Sequence, residues 1–499
     1  MKFEQQLECL ALPKFRGYYL NYKELKKAVD VFTGQERDQS TVQEVTHWTS
    51  SFLRLGPNPE VPPEAKLREI LERELERVSK FADMEANAIR TNLTKLEAEA
   101  ESTGRSGGKE TLIASLDALG DQIVDLKGFA LLNFTGFRKI LKKYDKWSQS
   151  SVLPWFMAVV VKSPLMAIDF DGFIRSVNHY SLTIGPRRVV ERARSKPDPK
   201  MYGDLTYLVD PQEAMRVRVE LAKRLTLAPE SLAPRSAAMN RTRARTSVVY
   251  FDTPDLGVYG ARVVGVPSSE ETEGAMAKAP CDSVCVRFGK DDAATVVAEV
   301  KGAPGQIAVD LKKSEVTQLF RGAAPRVADS SKSETLARVA QSVTETQLCP
   351  VVSATFNRMA FNDRDSSLKV VVEEEIKISN ISKGASWDST PAAGSEHFPY
   401  ALLTISLAPG TTPAIPRWLA DLDQVATLIQ VSGFQLGIHA EAHFRARSFG
   451  LPMPHWYRSV MHVDEDHDHG SEGSGARADA EVSAAEAKQT KAQKALQQA

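Results

Sequence analysis

Three things are scarce in this chain. It has four cysteines, Cys9, Cys281, Cys285 and Cys349, with no CxxC pair and no zinc-ligand spacing. That excludes a disulfide framework or structural zinc site and points to a reducing, cytosol-facing compartment. Net charge is also lacking: 63 Lys and Arg against 64 Asp and Glu leave −1 at neutral pH. No global field draws the protein to nucleic acid or an anionic membrane, so any anion site must be local. Long apolar runs are absent too. The segment Leu153 to Val161 ends at Lys162, short of the roughly 18 residues of a membrane span, and the amino terminus is polar. The expectation is no transmembrane helix.

What is present changes character along the 499 residues, a length that accommodates two or three domains. Residues 60–100 have helical periodicity with Glu-to-Lys/Arg spacing, glycine and serine interrupt it at 102–110, and a second long helix follows. Residues 1–150 therefore read as an α-helical bundle of long hairpins, and 151–195 as a helical linker. Beyond it come short alternating runs at 246–252, 282–288, 294–301, 368–372 and 400–407, each bounded by Gly, Pro, Asp or Ser. They predict an antiparallel barrel or sandwich and an α+β chain. From residue 464 large apolar side chains are rare, as in a disordered tail; His467 and His469 there read as solvated rather than metal-binding.

The most informative stretch is Leu132 to Trp147. On a helix, Lys139, Lys142, Lys143 and Lys146 fall within about 100° of arc, with Phe137, Ile140, Leu141, Tyr144 and Trp147 opposite. Stacked like charges cost roughly 0.2–0.5 kcal/mol per pair, a cost an anion lying over them would relieve. Lysines are mobile point charges suited to phosphates arriving from several directions. A solvated charged face is the plainer alternative.

This stretch, "LLNFTGFRKILKKYDK", together with "MKF" and "YLNYKELKK" near the amino terminus, resembles the SPX domain, a helical sensor of inositol pyrophosphates. The resemblance covers roughly residues 1–150. By position it implies that Lys2, Tyr22, Lys26, Lys139, Lys142, Lys143 and Lys146 form an inositol-phosphate surface.

Residues 196–457 carry "YFDTPDLGVYGAR", "VCVRFG", "VVAEVKG", "CPVVSATFNRMAF", "FPYALLTISL" and "GFQLGIHA" in order. They resemble the polyphosphate polymerase domain of the vacuolar transporter chaperone (VTC) family, a triphosphate-tunnel barrel. In active members of that family, inward cations grip phosphates and a tunnel glutamate holds the divalent metal. Arg262, Arg287, Glu299, Lys301 and Arg358 match retained positions, Lys369 stands where an arginine is expected, and the six make a candidate polyphosphate-binding set. The family's charged residues are replaced by Thr206, Cys285, Val300, Thr404, Ser406, Gln435 and Leu436. Thr404 and Ser406 stand where a metal-binding glutamate and a lysine are expected, and neither offers Mg²⁺ or Mn²⁺ a carboxylate. A neighbouring acid from Glu373-Glu374-Glu375 is a substitute, although alternation turns at least one of the three outward. His439 reads as a packed histidine.

The resemblance thus implies a catalytically inactive accessory subunit, with no catalytic residue, metal or required cofactor. Its expected partners are inositol pyrophosphates, polyphosphate, and the catalytic and membrane subunits of a VTC complex on the cytosolic face of a vacuole or acidocalcisome. Two other readings stand beside it: an active polymerase with a rearranged Mn²⁺ or Mg²⁺ site, and a soluble phosphate-signalling adaptor.

Overall fold

Two forty-residue helices form the spine of the amino-terminal half, α4 (Pro63–Ser102) and α5 (Lys109–Ser148). They match the two periodic segments of the sequence; residues 103–107, inside the glycine-serine break, lie outside the described residues. Before them come α1 (Phe3–Leu10), α2 (Tyr22–Phe32) and α3 (Gln39–Leu53), and after them α6 (Val152–Lys162), α7 (Pro164–Ala167) and α8 (Phe170–Ile184). The computed structural model describes residues 3–36, 38–53, 62–102, 108–184, 205–232, 245–265, 270–289, 292–303, 306–325, 327–363, 368–382, 394–407 and 417–461. Phe3–Tyr457 form one compact unit; of the other, Met1–Lys2 with Arg458–Ala499, only 458–461 are described. The expected tail, with His467 and His469, lies outside these residues.

The second half contains β1 (Leu205–Val209), α9 (Ala214–Ala222), β2 (Thr226–Leu227), α10 (Pro229–Leu232), β3 (Thr246–Asp252), α11 (Gly257–Val263) and α12 (Glu270–Lys278). Then follow β4 (Cys281–Phe288), β5 (Ala293–Val300), β6 (Gln306–Lys312), α13 (Lys313–Leu319), α14 (Ser330–Thr346), β7 (Cys349–Asn362) and β8 (Leu368–Asn380). The last elements are β9 (Glu396–His397), β10 (Ala401–Leu407), α15 (Arg417–Val425), β11 (Leu428–Gln430) and α16 (Leu436–Phe444). All the strands join one antiparallel sheet in the order β11-β1-β10-β8-β7-β3-β4-β5-β6, with β2 on β7 and β9 on β8. The α+β class and the antiparallel sheet are as expected. The sheet is not closed, however: among the described residues no pairing joins β11 to β6.

Period-two alternation gives the sheet two distinct faces. Tyr207, Val209, Met359, Phe361, Val370, Val372, Leu403 and Ile405 point outward into a core continuous with Leu126, Phe129, Phe156 and Ile174 of the helices. The packing therefore runs through residue 150 without a break. On the same side, Val284, Val286, Val296 and Val309 pack under Val316 and Leu336 of α13 and α14. The opposite, inner face carries Thr206 of β1, Thr404 and Ser406 of β10, and Lys369 and Glu373 of β8; it continues through Arg358 of β7 and Tyr250 of β3 to Cys285 and Arg287 of β4. α16 lies against this face, where a Cβ on Gly437 would stand 2.5 Å from the Tyr250 ring.

Among the described residues no single helix is long and apolar enough to cross a membrane, as expected. The pair Val152–Lys162 and Pro164–Ile184 passes that test only jointly, bent by 53°, and Phe156, Val160, Leu165, Phe173 and Ile174 of this pair are core residues.

Candidate functional site: a basic helix face and an arginine-lined sheet

On α5, Phe137, Ile140, Leu141 and Tyr144 are buried, as the periodicity predicts. Trp147 is not: it is 44% exposed, and the Lys146 ammonium lies 5.3 Å from its ring centroid. It occupies the last turn, at about +80° from Lys139, where it borders the Lys143 edge of the basic arc rather than the centre of the buried stripe.

Three helices bring the candidate lysines together. Lys26 of α2 donates to Glu4 of α1 at 2.8 Å, and Lys143 of α5 donates to Asp30 of α2 at 2.6 Å. The Lys26 hydrogen bond holds the Glu4 carboxyl below its ordinary range, and Lys23 and Lys143 act on it in the same direction. Lys26 and Lys143 therefore converge on one carboxylate from two helices. Tyr22 packs edge-on against Phe3 at 4.8 Å; burial, with Glu4 nearby, pushes its phenol up to about 12, so it is an uncharged donor at neutral pH. Lys142 and Lys146 are exposed and Lys139 half-buried. Lys23, which acts on the same carboxylate, is absent from the set read from the sequence; its place one residue after Tyr22 is the available signal. Lys2 lies outside the described residues.

The inner face of the sheet is built differently, with arginines paired to strand glutamates. Arg358 meets Glu373 directly across the ladder, with Nε 3.4 Å from Oε1. Burial raises the Glu373 pKa, while Arg358 and Arg287 favour its charged form. Arg287 stands on β4 and Glu373 on β8, with β7 and β3 between, and the two share the inner face. Arg262, on α11, pairs with Glu299 of β5, which also accepts from Ser283 at 3.3 Å. Lys301 lies just past the end of β5 and reaches the C-terminal carbonyls of α12, Met276 at 2.5 Å and Ala277 at 3.5 Å, where a cation is favoured. Lys369 is exposed opposite Ser406.

The substituted positions divide between the two faces. Thr206 pairs with Thr404, and Ser406 continues the same row. Cys285 is on the inner face beside Tyr250, its thiol pushed up to about 11 by burial. Val300 points the other way, into the core under α14. Gln435 is the N-cap of α16 and Leu436 its first, buried residue. His439 is fully buried among Phe398, Phe434 and Tyr457, with ring centroids 5.0, 5.8 and 5.2 Å away, and burial depresses its pKa to about 4. It is a neutral packing residue.

The three consecutive glutamates take three environments. Glu373 faces inward. Glu374 turns to the helical side, where Arg218 of α9 binds it at 3.0 Å and also grips Asp171 of α8 at 2.5 Å. Glu375 sits at a bulge, where it and Ile376 oppose Phe356, and has φ +54. Strict alternation of the run therefore fails at its last member. Asp252, at the end of β3, accepts from the backbone N–H groups of Thr253, Val258 and Tyr259 at 2.5, 2.8 and 2.9 Å, and burial raises its carboxyl to about 6. Burial and the hydrogen bond to Asp252 raise Glu441 of α16 well above its ordinary value, tying that helix to the inner face.

Divalent-cation binding of the kind implied by the VTC resemblance does not fit this donor set. Thr206, Thr404 and Ser406 offer hydroxyls, and Glu373 and Glu299 are engaged by arginines. Among the described residues no three His, Cys, Asp or Glu side chains converge as metal ligands do.

Comparison with known proteins agrees with the division into helices and sheet. The VTC domain profile matches residues 202–441 and the SPX domain profile residues 121–160. Vacuolar transporter chaperone complex subunit 2 of Toxoplasma gondii is 24% identical over 296 residues, covering 34% of this chain and 23% of that protein. Subunit 4 of Schizosaccharomyces pombe is 22% identical over 510 residues, covering 92% of this chain and 66% of that protein. SPX domain-containing protein 2 of Arabidopsis thaliana is 25% identical over 232 residues, 45% of this chain and 79% of its own. The chain thus spans about a quarter of the first relative and about two thirds of the second. A solved structure, the SPX domain of Chaetomium thermophilum glycerophosphodiester phosphodiesterase 1 with inositol hexakisphosphate, matches with TM-score 0.29 and 22% identity, covering 37% of this chain and 99% of that one. The chain carries an SPX domain followed by a VTC domain, and its relatives include proteins named as vacuolar transporter chaperone complex subunits.

Proposed function

We propose that this chain is a non-catalytic accessory subunit of a VTC-type polyphosphate polymerase complex, sensing inositol pyrophosphate on the basic face formed by α1, α2 and α5. One observation carries the reading: four lysines share one arc of α5, with Glu4 and Asp30 at its edge, whereas Arg262 and Arg358 of the sheet domain pair with Glu299 and Glu373. The SPX and VTC matches supply the chemical class of ligand and partner. Polyphosphate would meet Arg287, Arg358 and Lys369 on the inner face, the first two already acting on Glu373. Recruitment to a vacuolar or acidocalcisomal membrane would run through partner subunits.

The test is direct. Purified protein given ATP and Mn²⁺, with inositol pyrophosphate present, should yield no polyphosphate above a boiled control, and robust synthesis overturns the reading. A second reading, an active polymerase with a rearranged site, is favoured by Glu373, which places a carboxylate on the inner face one strand from Thr404. On that reading Glu373→Gln abolishes synthesis by the wild type, and Thr404→Glu with Ser406→Lys adds nothing.

A further inference from the structure

The basic arc on α5 does not end at the lysines. With Lys139 as zero and 100° per residue, Lys143 lies at about +40°, Lys146 at about −20°, Lys142 at about −60°, Arg138 at about −100° and Lys127 at about −120°. The positive edge of this arc meets α2 through Lys143 and Asp30. Its negative edge meets the sheet: the buried Lys127 ammonium is 3.7 Å from Glu375, and exposed Arg138 acts electrostatically on His397 of β9.

The sheet adds cations at the same seam. Arg245, just before β3, donates to the Glu375 backbone carbonyl at 3.2 Å and its carboxylate at 3.3 Å. Lys377 is paired in register with His397 across β8 and β9. Asn357 donates to Glu375 at 3.0 Å. The neighbouring acid Glu396 is engaged by His443 at 2.8 Å. Lys127 and Arg245 contact the Glu375 carboxylate, Lys377 interacts with it, and Arg138 acts on His397 opposite Lys377, so four cations line the seam. Crowding this many like charges, drawn from separate elements, is unfavourable in the absence of an anion. Burial and these neighbours hold Lys377 below its ordinary value and His397 down to about 4.

We infer that Arg138, Arg245, Lys377 and His397 form an anion site at the seam between α5 and the sheet, taking phosphoryl groups of a phosphate-rich polyanion seated on the α5 arc. The inference rests on the sensor reading above and extends it: a ligand gripped from both sides makes the sheet part of the sensor. Glu375, on its positive-φ bulge, is the internal anion with which that ligand competes.

Calorimetric titration of the full chain with inositol hexakisphosphate at fixed salt tests this. Arg138→Ala with Lys377→Ala should weaken binding about tenfold, as should Lys139→Ala with Lys143→Ala, whereas the remote pair Lys312→Ala with Lys332→Ala should change it less than about twofold. Lys377→Arg should retain wild-type affinity, and thermal melting of each variant checks folding. Loss only in the Lys139/Lys143 variant overturns the seam site and leaves the sensor reading standing. Loss only in the Arg138/Lys377 variant overturns the α5 sensor reading and, with it, a ligand shared between arc and seam. Unchanged affinity in both overturns both.

Discussion

The α5 face and the inner sheet face each present several cations, but they differ in what those cations face. On α5 the charges stand side by side near solvent, with carboxylates at the edges of the arc. On the sheet the arginines look across at half-buried glutamates within the same fold. The number of basic residues is therefore a poor guide to anion capacity. An arc of adjacent like charges gains by binding a polyanion, whereas a half-buried matched pair must first lose its partner, leaving an uncompensated charge.

Breaking that contrast should have its largest effect where charge is buried. Arg358→Ala leaves Glu373 without its cross-strand partner and should lower unfolding free energy by about 3 kcal/mol in urea titration; a change below about 0.5 kcal/mol would mean the pair is not structural. His439 should show next as a pH effect. Its folded-state pKa of about 4 lies below the ordinary 6.5, so the stability it permits is complete above 6.5 and falls as pH drops toward 4. His439→Phe should remove about 2 kcal/mol of that acid sensitivity, measured as unfolding free energy at pH 7 and pH 4.5. The α5 lysines should behave oppositely to Arg358. Lys139→Ala with Lys143→Ala should change stability by less than about 1 kcal/mol, yet flatten the salt dependence of inositol-phosphate binding.

Much of this was legible in the residues. The two long helices, five of the strands and the buried stripe of α5 follow from periodicity alone. β7 does not follow from periodicity, because Pro350 and the polar Asn357-Arg358 interrupt its alternation. The fates of Glu373, Glu374 and Glu375 were only partly readable: alternation turns one outward, but nothing in three identical residues announces a bulge. The partners that neutralise the inner face are hidden for a different reason. Arg262 and Glu299 lie 37 residues apart, and Arg218 and Glu374, on the other face, 156 apart, so only the folded topology matches them. Arg138 sits inside the motif but off the lysine arc, and gains significance only once the sheet is alongside.

Trp147, 44% exposed at the end of α5 with an ammonium 5.3 Å from its ring, gives the basic face its own optical reporter. A polyanion that draws Lys146 away changes the field on this indole, so its emission should shift as the ligand saturates. In Trp147→Phe that signal should vanish while calorimetric affinity stays within about twofold of wild type.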